Sequence, residues 1–186
     1  VQQGAAALTP PVFTLAPALA NTATFLDPTT SSGAKHFKGA IESLNSHPFD
    51  FEDGADLQVF LDLVLTKSQV WGWNNIFNIP VRDAKTTITK TWNLLDYYGM
   101  VPLASVRDHA LTYYATQSKQ AQDSFMLCQC LLSSLALDFL KTITANSASY
   151  HLPAIVVADG DIPSGPLLLK LIISRAHVDT RATVSF

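Results

Sequence analysis

A run of apolar residues in the second half of the chain constrains the fold more than any other feature. Its members are separated by alternating steps of four and three residues, the spacing of one buried face of an α-helix. They are Ala121, Phe125, Cys128, Leu132, Leu135 and Phe139. We predict from this spacing a core helix, with Ser133–Ser134 as the point at which it would bend.

A second apolar stripe of helical period begins after Asp53, a residue type suited to the N-terminal cap of a helix. The stripe consists of Leu57, Phe60, Leu61, Val64 and Trp71. We expect Gly72 to end this helix. Less regular patterns predict further helices over 34–44, from Trp92 to Tyr98, after Pro102 and over 167–176, with a Thr-rich loop over 82–90. The chain is therefore predicted to be mainly α, with little or no sheet.

The first 33 residues differ from the rest, since Asp27 is their only charged residue and four prolines interrupt them. Prolines at this density exclude a long helix and favour extended backbone. The candidate self-assembly residues of this segment are Val12, Phe13, Leu15, Leu19, Phe25 and Leu26. We predict an arm over 1–33 that docks on its own domain or on a neighbour, the alternative being a disordered tail. Residues 34–186 are predicted to form a compact multi-helix domain.

The charge composition limits the partners of the chain. Charged residues make up 15% of the sequence, against about 25% in ordinary soluble domains. The Lys and Arg residues form no basic tract, so we expect no direct nucleic-acid contact from this segment. The longest uncharged helical stretch, from Ser124 to Leu137, is too short to span a bilayer, so no membrane partner is expected.

The two cysteines indicate the cellular compartment. Cys128 and Cys130 diverge on a helix and cannot bridge one another, so we predict two buried thiols in a reducing environment. The segment from Val1 to Ala7 lacks the basic start and apolar core of a signal peptide. We therefore expect a cytoplasmic protein.

No local motif supports catalysis. The string Val178–Ala182 is close to the aspartic-protease turn, but Arg181 stands where that turn requires glycine. His177 and Asp179 could form an acid–base pair, yet no Ser or Cys nucleophile sits in a recognisable elbow. We therefore expect no enzymatic activity and assign no catalytic residue.

The sequence does not support a ligand-binding site either. The five histidines lie far apart in sequence and show no metal-ligand spacing. Asp159 and Asp161 predict a turn more than a cation loop, which needs more carboxylates. The residues Trp71, Trp73 and Trp92 suit core packing better than a ligand cage. We assign no metal-binding or cofactor-binding residue and expect no cofactor.

Short blocks spread over nearly the whole chain carry a family resemblance. In chain order they are Pro11–Leu15, Gly33–Lys35, Phe49-Asp50, Leu57 with Phe60-Leu61, Trp73 with Ile79-Pro80, Asn93–Leu95 with Tyr98-Gly99, Ala121–Ser124, Cys130-Leu131 with Ser134-Leu135, Ser164–Leu168 and Ala176–Thr183. Together they resemble the Gag-like polyproteins of copia-type LTR retrotransposons from microalgae. The resemblance implies a helical capsid domain whose copies assemble into a virus-like particle around the RNA of the element.

The chain departs from that family in two places. Ala136 and Leu137 stand where the family tends to begin a helix with Thr-x-Glu, so we expect a continuous helix junction here. Family members also run on beyond the position of Phe186, so we expect the parent protein to continue and to supply the RNA contacts. The alternative to a capsid protein is a host-retained Gag-derived or unrelated helical adaptor that binds another protein without forming shells.

Overall fold

The computed structural model describes residues 30–44, 54–116, 118–152 and 162–184. Side chains at 54–56, 113–116, 118, 162 and 177–184 are not part of this description. The candidate arm residues Val12, Phe13, Leu15, Leu19, Phe25 and Leu26 lie outside the described residues. The same holds for Asp53 and for the turn expected at 159–161.

The described part of the chain is mainly helical, which confirms the predicted fold class. Its α-helices are α1 (Ser31–Ala40), α2 (Gly54–Trp71), α3 (Leu103–Thr116), α4 (Ser118–Ser133), α5 (Leu137–Thr144) and α6 (Gly165–Val184). Short 3-10 helices cover Asn74–Phe77, Tyr98–Met100 and Ser147–Ser149. The strands are β1 (Asn78–Arg82), β2 (Thr89–Asn93), β3 (His151–Leu152) and β4 (Ile162–Pro163), which form two antiparallel pairs, β1 with β2 and β3 with β4.

Helix α4 lies at the centre of the core and packs against α6, α3 and α1. It is buried from Ala121 to Cys128, and α6 is buried from Gly165 to Leu169. The two helices approach closely at Gly165, where a Cβ atom would lie 2.6 Å from the carbonyl oxygen of Ser124 and 2.7 Å from Cβ of Leu127. Glycine is therefore required at the first residue of α6 for this close packing.

The predicted core residues fall into two groups by burial. Eight are buried: Leu57, Phe60, Leu61, Val64, Phe125, Cys128, Leu135 and Phe139. The other three, Trp71, Trp92 and Leu132, are half-buried and pack against the edge of the core.

The long apolar seam forms two helices, so the expectation of a continuous helix junction was wrong. Helix α4 ends at Ser133 and α5 begins at Leu137. At the break, Oγ of Ser134 donates to the carbonyl of Cys130 at 2.7 Å and accepts from N–H of Leu44 at 2.9 Å. Serine side chains bond to backbone groups in this way and compete with continued helix. Leu135, within the break, and Phe139, on α5, are both buried, because the chain changes direction between α4 and α5 in a way that keeps both side chains facing the core.

The helix predicted from Trp92 to Tyr98 was also wrong. Trp92 lies in β2, opposite Ile79 of β1, and Lys90 lies opposite Val81. The β-branched residues Thr89 and Thr91 favour strand over helix. The loop predicted over 82–90 is therefore shorter in the structure, where it comprises only 83–88, between the two strands.

Three helix boundaries follow local chemistry. Helix α1 begins at Ser31, within the segment predicted as arm, because Oγ1 of Thr30 accepts from N–H of Gly33 at 3.0 Å and caps the helix. Gly72 ends α2 with a φ of +73°, as predicted. Helix α6 starts at Gly165, two residues before the predicted range of 167–176, and runs to Val184, beyond the end of that range.

Candidate interaction surfaces

The β1–β2 hairpin is amphipathic. Along β1, the side chains of Asn78, Pro80 and Arg82 are exposed, whereas Ile79 is fully buried. Along β2, Thr89 and Thr91 belong to the same exposed face, because successive side chains of a strand alternate between faces. The opposite face carries the apolar residues Ile79, Val81 and Trp92 together with Lys90, and it packs on α3 through β1.

The loop of the hairpin is held by its own backbone. Oδ1 of Asp83 accepts from N–H of Lys85 at 2.7 Å, and N–H of Asp83 donates to the carbonyl of Ile88 at 2.9 Å. The hydrogen bond from Lys85, followed by that from Thr86, lowers the pKa of the Asp83 carboxyl. Thr87 takes the left-handed conformation, with a φ of 59°. The loop thereby fixes the register of both strands.

An apolar surface patch lies on the hairpin, and we call it the hairpin patch. It consists of Val81, Ile88, Trp92 and Met100, which line a concavity of about 370 Å³ together with Asp83, Thr86 and Lys90, and of Tyr97, whose ring contacts that of Trp92. Ile88 is 58% exposed, and Tyr97 and Met100 are each 53% exposed. The rings of Trp92 and Tyr97 meet edge to face with centroids 5.2 Å apart. Contiguous exposed apolar residues of this kind mark interaction sites.

A second concave surface lies where the end of α1 meets α4 and α5, and we call it the α1–α4–α5 groove. Its volume is about 810 Å³. Ile41, Leu132 and Leu140 supply its apolar wall. Its remaining lining residues are Lys35, Lys38, Gly39, Glu42, Ser43, Gln129 and Ser133. Leu132, predicted to lie in the core, is therefore part of this groove.

The wall of the groove is fixed by hydrogen bonds to the last turn of α1 and the residues after it. Nζ of Lys67, from α2, donates to the carbonyls of Gly39 at 3.0 Å and Glu42 at 2.8 Å. Sγ of Cys130 contacts the carbonyl of Glu42 at 3.2 Å, and Oγ of Ser133 donates to that of Ile41 at 3.1 Å. These bonds satisfy carbonyls that a helix end leaves unpaired.

Three buried ionisable groups lie on α4. The carboxyl of Asp123 pairs with Nζ of Lys119 at 2.7 Å. Its burial outweighs this pairing and raises its pKa to about 6. Burial also raises the pKa of the Cys128 thiol far above its usual range and that of Cys130 to about 11. Both thiols are protonated at neutral pH and poor nucleophiles.

The three tryptophans lie in different surroundings. Trp73 is 1% exposed, and its ring stacks on that of Trp71 with centroids 6.5 Å apart. Trp92 lies instead in the hairpin patch, against Tyr97. The Nε1 atom of Trp73 has no hydrogen-bond partner among the described residues.

Within the described ranges, no cluster of three or more His, Cys, Asp or Glu residues is placed to bind a metal ion. No described helix is both long and apolar enough to cross a membrane. The side chains of His177 and Asp179 lie outside the described residues.

Sequence reasoning missed the hairpin patch because it assigned Trp92 to a helix. The signal was present as apolar residues two apart, Ile79 with Val81, followed after a short polar loop by Ile88 and Trp92 on either side of Lys90. Comparison of the chain with protein-family models, curated proteins and solved structures found no match.

Proposed function

We propose that this chain is a capsid-type structural protein whose copies assemble with one another into a shell that encloses retroelement RNA. The observation that carries the proposal is the hairpin patch, an exposed apolar surface on and beside a two-stranded sheet that packs on the helical body. A lattice subunit needs surfaces of this kind, because shells are built from repeated contacts between identical copies. The resemblance to Gag-like polyproteins supports the same function.

The low charge of the chain also supports self-assembly. With a net charge of −3 over 186 residues, copies repel one another only weakly at physiological salt. The same charge argues against RNA binding by these residues, so the proposal assigns no RNA contact to this chain.

The first experiment is negative-stain electron microscopy with light scattering on the purified chain across a salt series. We expect regular shells or tubes. The double variant Tyr97→Ser/Met100→Ser should raise the concentration needed for assembly by at least about tenfold, since each tenfold change costs about 1.4 kcal/mol. Dispersed monomers of the unmodified chain at high concentration under all salts would contradict the proposal.

The matched control is Val59→Ser/Val70→Ser, which removes two exposed apolar side chains from α2. We expect assembly of this control to resemble that of the unmodified chain. An equal effect of both double variants would mean that general hydrophobic association, and not the hairpin patch, drives self-association.

The N-terminal segment supplies a second test. Deletion of residues 1–29 keeps the Thr30 cap of α1 and should weaken assembly more than folding, because the proposed arm reaches a neighbouring copy. Circular dichroism and thermal unfolding report on folding, and light scattering reports on assembly. Unfolding of the truncated chain would instead make the segment part of its own domain.

The α1–α4–α5 groove favours a second candidate function, an adaptor that binds another protein. Its volume of about 810 Å³ and its apolar wall fit an extended peptide or one face of a helix. This function predicts a stable monomer or dimer that retains a defined partner from a cell lysate. Leu140→Asp, in the groove, should abolish that retention, and the matched change Ile88→Asp in the hairpin patch should leave it intact.

A further inference from the structure

The hydrogen-bond pattern of the hairpin shows which backbone groups point away from it. N–H of Leu94 donates to the carbonyl of Phe77 at 2.8 Å, one residue before the first strand pair. Because bonded and non-bonded pairs alternate in an antiparallel ladder, Ile79–Trp92 and Val81–Lys90 are the bonded pairs of the observed register. The pairs Pro80–Thr91 and Arg82–Thr89 are non-bonded, so their backbone N–H and C=O groups point outward.

The two outer edges of the hairpin therefore differ. The middle of the β1 edge is Pro80, which has no N–H to donate and is a residue that natural proteins use to block strand pairing. Strand β1 also packs on α3. The β2 edge presents complete backbone groups at Thr89 and Thr91, both exposed. One edge of the hairpin is blocked and the other is open.

From this difference we propose that a second copy of the chain pairs with β2 along its open edge, in an antiparallel arrangement centred on Thr91. The two hairpins then form one four-stranded sheet with strand order β1-β2-β2-β1. The inference rests on the proposed self-assembly and deepens it by naming one contact between copies.

The side chains of β2 fit its own copy in this register. Thr91 lies opposite Thr91 of the second copy, and Lys90 lies opposite Trp92 of the second copy. An ammonium group beside an indole ring is a favourable cation–π pair, which occurs twice across the axis. The two Lys90 side chains are not directly opposite, so the register avoids a like-charge pair. Lys90 and Trp92 share the face of the hairpin patch, so the two patches become continuous.

The symmetry of this contact limits its size. A pairing of β2 with itself is related by a two-fold axis and closes as a dimer. Because Pro80 blocks the other edge, further strands cannot add there. The sheet stops at four strands, and the remaining contacts of any shell must use other surfaces.

Disulfide trapping tests the pairing in the intact chain. Residues of a bonded antiparallel pair have Cα atoms about 5.5 Å apart, within the roughly 4.4–6.8 Å that a disulfide spans. We expect Thr91→Cys to form a covalent dimer under mild oxidation, measured by non-reducing electrophoresis and intact mass. The matched control Arg82→Cys, an exposed position on the blocked edge, should remain monomeric. Cys128 and Cys130 are buried and should not react.

A second variant tests the same contact without cysteine. Thr91→Pro removes one outward N–H and leaves the bonded pairs with β1 intact, so the dimer dissociation constant from light scattering should rise at least about tenfold. Circular dichroism checks that the variant folds. If Thr91→Pro does not fold, the Thr91→Cys disulfide experiment still tests the contact.

The outcomes separate this contact from the proposed function. Shells without a Thr91→Cys dimer, or equal dimer from Arg82→Cys, would overturn the β2 contact and leave the capsid proposal standing. Covalent dimer without shells would support the contact and count against the shell. An unmodified chain that stays monomeric and gives no Thr91→Cys dimer would overturn both.

Discussion

The helical body around α4 and the β1–β2 hairpin use their apolar residues in opposite ways. In the body, α4 has no exposed side chain from Ala121 to Cys128, and α6 packs against it. In the hairpin, Ile88 is more than half exposed and Trp92 is covered only in part. The body accounts for stability, and in the function proposed above the hairpin patch contacts other copies of the chain. Changes in the body should therefore alter folding, and changes in the hairpin should alter association.

The largest effect is expected at the contact between α4 and α6. Gly165→Ala places a Cβ 2.6 Å from the carbonyl oxygen of Ser124, which is backbone and cannot move without shifting α4. We expect a loss of about 3 kcal/mol in the free energy of unfolding, the upper part of the usual range for overpacking. Urea denaturation measures it. The control Gly99→Ala, where a Cβ meets no atom within 4 Å, should change stability little; equal losses would refute the packing argument.

The next effect concerns the buried carboxyl of α4. The folded-state pKa of Asp123 is about 6, above its ordinary value of 3.8. Its contribution to stability is therefore complete below about pH 4 and lost as the pH rises through 6. Asp123→Asn should raise the free energy of unfolding at pH 7 by about 3 kcal/mol, at 1.36 kcal/mol per pKa unit, and by little at pH 4. Urea titrations at the two pH values measure this.

Asp83, in the loop of the hairpin, is a control for which the opposite dependence of stability on pH is expected. The pKa of exposed Asp83 is lowered by backbone N–H groups, so its contribution is present at neutral pH and lost in acid. Asp83→Asn should therefore lower the free energy of unfolding at pH 7. A higher free energy of unfolding at pH 7 for Asp83→Asn, or an unchanged one for Asp123→Asn, would contradict the argument that only the buried carboxyl destabilises the fold at neutral pH.

A smaller effect is expected at the end of α1. Lys67→Met keeps the aliphatic stem of the side chain and removes two charge-assisted hydrogen bonds, to the carbonyls of Gly39 and Glu42. We expect a loss of about 1.5 kcal/mol by urea denaturation. Lys90→Met, the same change in the hairpin, should cost less than about 0.5 kcal/mol. Similar losses at both lysines would show that the groove wall is not held by Lys67.

The smallest effect on folding belongs to the hairpin patch. Tyr97→Ser/Met100→Ser changes two side chains that are each 53% exposed, and we expect the free energy of unfolding to move by no more than about 0.5 kcal/mol per site. Thermal unfolding of the monomer at low concentration measures this. A large loss would mean that the patch belongs to the core of its own domain.

Helices were predicted well where one face is buried along its whole length. The stripe from Leu57 to Val64 and the stop at Gly72 needed only periodicity and a glycine in the left-handed conformation. The hairpin was missed because Trp92, Leu94 and Leu95 mimic helical spacing, while Ile79, the pairing partner of Trp92, lies 13 residues away. Pairing between strands is non-local, and a pattern within one segment does not contain it.

The α1–α4–α5 groove and the break between α4 and α5 also depend on contacts that a local sequence pattern does not contain. Ser133 and Ser134 mark a bend in the sequence, but whether the helix stops depends on N–H of Leu44 and the carbonyl of Ile41, both from another part of the chain. Leu132 keeps the spacing of the core seam, yet it faces the groove because α5 leaves the line of α4 there.

The sequence by itself determined the mainly helical class, the positions of most helices and the residues that form the centre of the core. These depend on side-chain periodicity, capping and glycine, which act over a few neighbouring residues. The tertiary structure decided the hairpin, its open β2 edge, the division of the seam into α4 and α5, and the groove. Each of these depends on backbone groups and side chains that are distant in sequence, and their meeting is fixed only when the whole domain packs.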